Sequence, residues 1–188
     1  MRITTNSLLV LAALLAGCSS TLDTTSFTNP QFDFGFVERV AVLPLENLSV
    51  DSQAAQRATR ILVTELLASG AIDVVEQGEV RAALDRIPGL TNPPSTEQVI
   101  NIGATLGAQA LIVGSVTQSE VLRSGTVTYP VVTIDLHMLE TETGVSVWAA
   151  THTEKGSGVS AKLLGTGGQP ISDTTRKCIR QLIDSLLS

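Results

Sequence analysis

Leu8 to Ala16 is the first apolar run of the 188-residue chain. It is too short to span a bilayer as a helix and has the length of a secretory leader's apolar core. Val37 to Leu43, closed by Pro44, reads as a first strand. Ala54, Ala58, Ile61, Leu62 and Leu66 then recur at helical spacing, which predicts a helix from Asp51 or Ser52 to Ser69 with Gly70 as its stop. Ile72 to Val75 predicts a short second strand, and Gly78 to Ile87 a second helix ended by Pro88-Gly89. Asn92-Pro93-Pro94 forms a rigid turn. Ser95 and Gln98 then stand at capping-box spacing before a third helix that ends near Gly107.

The later part of the chain changes period. Ala110-Leu111-Ile112-Val113-Gly114-Ser115-Val116 is continuously apolar at strand length, the mark of a central strand buried on both faces. Thr126 to Leu139 alternates, with Pro130 marking an edge or bulge. Glu140 to Gly144 is a hairpin turn, and Val145 to Thr153 is the returning strand. Gly156 to Gly168 is rich in glycine and serine and reads as mobile. A last helix, from Ser172 or Asp173, places Ile179, Leu182, Ile183 and Leu186 on one face. The order β-α-β-α-α-β-β-β-α predicts a single α/β sandwich with a mixed sheet.

Before these elements, residues 19–35 are rich in serine and threonine, broken by Pro30 and ended by Gly35. They read as a linker reaching roughly 55–60 Å when extended. Phe32, Phe34 and Phe36 alternate, so the last part reads alternatively as an extended segment packed on the domain or on a neighbour. The division is therefore leader 1–17, tether 18–35 and domain 36–188.

Leu15-Ala16-Gly17-Cys18 resembles the lipobox of bacterial lipoproteins. The resemblance implies cleavage between Gly17 and Cys18 and a diacylglyceryl thioether on Cys18, with acylation of its new amine. Several acyl chains make such attachment effectively permanent. Ser19, where an aspartate would retain the protein at the inner membrane, implies export to the outer membrane of a Gram-negative cell, facing the periplasm. Loss of the leader removes Arg2 and leaves 11 cations against 18 anions. That balance argues against a nucleic-acid surface and leaves the lipid as the membrane contact. Cys178 is then the one remaining thiol, so no intrachain disulfide is expected, and beside Ile179 it reads as a small buried hydrophobe.

Four blocks in order carry a wider resemblance: Val40 to Asn47, Ile72 to Glu76, Leu106 to Val116 and Val132 to Gly144. They are similar to the periplasmic lipoprotein family of the curli secretion channel CsgG and the penicillin-binding-protein activator LpoB. The resemblance implies an α/β domain like the amino-terminal domain of TolB. Many relatives carry an arginine in the strand before the Glu-Thr-Gly-like turn, where this chain has His137. The channel builds its barrel from long amphipathic insertions. Thr117 to Tyr129 carries Glu120, Arg123 and Ser124 and is too short for two strands of about 9 to 11 residues, so no pore is expected. The activator reaches its enzyme through a long linker, whereas this tether is short.

Chemistry is sparse. No phosphate loop, G-x-S-x-G, HExxH or CxxC motif occurs. Asp135 and His137 share one face of a strand. A regular hairpin would set Asp135 opposite Ala150, His137 opposite Trp148 and His152 opposite Thr133, which makes Asp135, His137 and His152 a conceivable metal or acid/base set against the alternative of a solvated sheet face. Arg57 and Arg60 on the first helix, and Arg176, Lys177 and Arg180 on the last, read as wet helix faces or as sites for an acidic partner. Together these features predict a non-enzymatic outer-membrane lipoprotein, without cofactor beyond the covalent lipid, that binds an envelope protein or a second copy of itself. Activation of a penicillin-binding protein is the alternative, and a metal-dependent hydrolase is a further one.

Overall fold

The computed structural model describes residues 24–125, 127–156 and 169–188. The lipobox, the leader, the first residues of the tether and residues 157–168 lie outside them. A seven-stranded mixed sheet forms the centre. Its strands are β1 (Thr25–Thr28), β2 (Arg39–Val42), β3 (Glu46–Asn47), β4 (Asp73–Val74), β5 (Ala110–Ser124), β6 (Val127–Glu140) and β7 (Ser146–Lys155). Four α-helices accompany it among the described residues: α1 (Ala54–Ser69), α2 (Gln77–Leu84), α3 (Thr96–Leu106) and α4 (Ile171–Leu187). The spatial order is β1-β7-β6-β5-β2-β4, with β3 beside β5. β2 runs parallel to β4 and β5, while β5, β6 and β7 form an antiparallel meander. This is the α/β sandwich with a mixed sheet that the periodicity predicts.

Local signals set the helix limits. Gly70 at φ 64° and Gly107 at φ 59° end α1 and α3 in the left-handed conformation that lacks a Cβ penalty. The Ser95–Gln98 capping box closes the start of α3 in both directions. Two layers of helix cover the sheet unequally. Ala58, Leu62 and Leu66 of α1, with Cys178, Ile179 and Leu182 of α4, bury one whole face against Ile112, Ile134, Leu136, Met138 and Trp148. On the other face Val80 of α2, with Val99 and Ile102 of α3, covers only β2 and the start of β5, through Ala41, Leu43 and Leu111. Each large aliphatic side chain buried in this way contributes about 1.5–3 kcal/mol. Among the described residues, the β6, β7 and β1 half of that second face has no helix over it.

Three expectations are corrected. The linker predicted to run to Gly35 belongs to the sheet from Thr25 onward: β1 pairs antiparallel with β7, Thr25 opposite Thr151 and Thr28 opposite Trp148. Phe32 and Phe34 then pack against the main core, with Phe32 edge-on to Phe34 at 5.0 Å. The central strand runs eight residues past Val116, because its hairpin with β6 continues to Ser124 opposite Val127. The second helix ends at Leu84 rather than Ile87.

The extension of β5 is braced by a half-buried polar triad. Arg57 on α1 donates from Nη2 to Asp51 at 2.5 Å and to Ser119 Oγ at 3.1 Å. Ser119, 1% exposed, donates in turn to Asp51 at 3.2 Å. The Arg57 hydrogen bond holds the Asp51 carboxyl below its ordinary value, against the opposing effect of burial. A depressed folded-state pKa stabilises the fold above the unfolded-state value of about 3.9, and that stabilisation is lost as pH falls through the folded value. Denaturant titration of the wild type and Asp51→Asn is therefore expected to show a stability gap near pH ~6 that closes below pH ~4; a gap independent of pH would contradict it.

Candidate functional site

This second face of the sheet carries a groove of about 410 Å³ beside α3. Its floor is Val113 to Ser115 of β5 and Asp135, His137 and Leu139 of β6. Its walls are the Asn92-Pro93-Pro94 connection, Thr96 and Glu46. Two glycines allow this construction. At Gly103 a Cβ would stand 2.2 Å from the Thr141 side chain, so only glycine lets α3 close on the β6–β7 turn. Gly144, at φ 71°, lies directly under Thr96. Thr141, buried, donates from Oγ1 to Ala108 O at 2.7 Å and locks the same turn to the end of α3.

Strand register arranges the floor in rows. Thr25, Thr151, Asp135, Ser115 and Glu46 lie side by side across five strands. Phe27, Ala149, His137 and Val113 form the next row. With strands ~4.8 Å apart, the first row spans roughly 20 Å and sets the Asp135 and Glu46 backbones about 10 Å from each other. Thr151 donates from Oγ1 to Asp135 at 2.5 Å. Thr133 and Thr153 bond to each other at 2.9 Å, continuing the polar face. The groove thus offers two carboxylates, an imidazole and hydroxyls over a rigid floor, with no cation among its lining residues.

The structure brings Asp135 and His137 together on this face and separates His152 from them. Val147 forms a bulge: Leu139 pairs with Ser146 but Met138 with Trp148. Every later pair is displaced by one, and a shift of one residue turns a side chain to the opposite face. His152 therefore stands opposite Ile134, 3% exposed, on the α1 and α4 side. Its Nδ1 meets Thr24 Oγ1 at 3.0 Å and its Nε2 approaches Glu154 at 3.5 Å. The expected opposition of His137 with Trp148 and of Asp135 with Ala150 is replaced by His137 with Ala149 and Asp135 with Thr151. No group of three metal-ligating side chains is arranged to hold an ion among the described residues.

Four of the five helix cations are engaged, and Arg60 is exposed on α1. Arg57 belongs to the Asp51 triad, and Arg176 at 3.3 Å and Arg180 at 2.8 Å both pair with Glu65, tying α4 to α1. Lys177 donates to Gln169 at 2.9 Å. Cys178 is buried, donates from Sγ to His152 O at 3.3 Å, and burial pushes its thiol up to about 12. It is the small core residue its neighbours predict. Sequence reasoning did not select Glu46 or Ser115. Their place beside Asp135 comes from parallel pairing of β3 with β5, which leaves no local signal.

The family model for the peptidoglycan-synthase activator LpoB matches residues 19–153. No curated protein matches the chain in sequence. Among solved structures, the PelC dodecamer from Paraburkholderia phytofirmans is similar at 18% identity and TM-score 0.58, over 86% of this chain and 96% of that one. Lipoprotein GNA1162 from Neisseria meningitidis is similar at 11% identity and TM-score 0.54, over 80% and 98%. The LpoB C-terminal domain from Escherichia coli aligns at 17% identity and TM-score 0.47, over 62% and 82%. At these identities the structures speak to the fold, and the family match spans both the edge strand and the groove-forming hairpin. The chain belongs to the LpoB family of peptidoglycan-synthase activators.

Proposed function

We propose that this protein is a periplasmic lipoprotein, anchored at the outer membrane through Cys18, that activates a peptidoglycan synthase by binding it and performs no catalysis itself. The observation that carries the reading is the LpoB family match over residues 19–153. The groove supports it in kind. Asp135 is hydrogen-bonded by Thr151, and among the described residues no hydrogen bond joins Ser115 to Asp135 or His137. The row offers recognition groups without a nucleophile held by a base. The purified domain is expected to raise the glycan-polymerising rate of its cognate synthase, and an unchanged rate would overturn the reading. Asp135→Arg places a cation at the centre of the floor and is expected to cut that stimulation about tenfold while leaving thermal stability within about 0.5 kcal/mol of wild type. Polymerisation assays with the variant decide this.

A second reading, self-association, is supported by the similarity to a chain that assembles as a dodecamer. Light scattering of the purified protein at high concentration tests it, and a strict monomer would end it.

A further inference from the structure

β1 differs from an ordinary edge strand. All four of its side chains are exposed, and the run from Thr24 to Gln31 contains no charged residue. Edge strands normally carry lysine or another charge that discourages further pairing. Here the edge carries Phe27 at 52% exposure, and Phe36 at 43% follows it in the chain. Thr25 stands only seven residues beyond Cys18. Even fully extended, that stretch holds the edge within about 25 Å of a lipid on Cys18, less than half the reach of a linker running to Gly35.

We propose that the uncharged β1 edge, with Phe27 exposed on it, lies against the lipid headgroup surface to which Cys18 is anchored. The inference rests on the lipoprotein reading of Cys18. Two features favour a lipid surface over other occupants. The exposed Phe27 ring on an uncharged strand suits the headgroup region, where an acidic surface would be repelled by anionic lipid. The short connection also keeps this edge within about 25 Å of the bilayer whatever else the protein binds.

The test couples the chain from Cys18 to Ser188 through its Cys18 thiol to a maleimide lipid in phosphatidylethanolamine and phosphatidylcholine vesicles. Buried Cys178 does not compete for the reagent. Phe27→Trp and, as a control on α3, Ile100→Trp report contact through quenching by brominated phosphatidylcholine, over a constant background from Trp148, which is 1% exposed. Emission from the tryptophan at position 27 is expected to fall about twofold with brominated lipid, and that at position 100 to stay unchanged. Unquenched emission at position 27 overturns the proposal. If that tryptophan is instead shielded from acrylamide in proportion to surface density, the edge is covered by a second copy, which overturns it equally. Because coupling is chemical, the result is independent of lipidation in cells, which palmitate labelling of Cys18 tests separately.

Discussion

Cys18→Ala is expected to move the protein from the membrane fraction to the soluble periplasm and to abolish its action in cells, with the fold unchanged. No helix among the described residues is long and apolar enough to cross a membrane. The proposed function places attachment on the acyl chains, which contribute about 0.8 kcal/mol per buried methylene. The substitution lies seven residues before β1 in the sequence. Purified Cys18→Ala protein should stimulate a cognate synthase as well as the unmodified domain does, because only local concentration is lost. Fractionation and a polymerisation assay on the same variant separate the two effects. A variant that still sediments with membranes would show that something other than Cys18 holds the protein there.

The largest expected loss of stability follows Gly114→Val. Gly114 lies in the middle of β5 opposite Leu136, and even a methyl group there would stand 2.0 Å from the Asp135 carbonyl oxygen and 3.0 Å from Leu136. A backbone atom cannot move aside as a flexible side chain does, so β5 and β6 must separate where Gly114 pairs with Leu136. Overpacking of this kind costs about 3 kcal/mol. In a domain of this size that lowers the melting temperature by roughly 6–12 °C. Gly114→Ala should cost less, since it omits two methyl groups. Equal melting temperatures for Gly114→Val and the wild type, by calorimetry, would show that the strands part freely.

Much of this fold is legible because its signals are local. The capping box at Ser95, the stops at Gly70 and Gly107 and the unbroken apolar run from Ala110 each act within one or two turns or along one strand. β1 has no such signal. Thr25-Ser26-Phe27-Thr28 is a strand because β7, more than a hundred residues away, offers its edge. Asp135 and His137 are correctly placed on one face by their spacing, since two-residue alternation survives within β6. His152 is misplaced because one bulged residue at Val147 reverses the facing of every later position in β7. Neither composition nor alternation announces that bulge. The groove depends further on the Pro93-Pro94 connection standing over the sheet, a relation that only the packing of α3 creates.

The pairing of β1 with β7 also has a mechanical meaning. A pull on an anchor at Cys18 would enter the domain at β1, so the first strand to bear it would be a four-residue edge strand, not the helices or the central sheet. Antiparallel bonds loaded from one end open in succession rather than together. Peeling β1 away would lengthen the connection by the residues up to Gln31, roughly 23 Å, while Phe32 and Phe34 remain seated in the core. The strand is thus a short reserve of reach, stored at the point where an anchor on Cys18 would hold the protein.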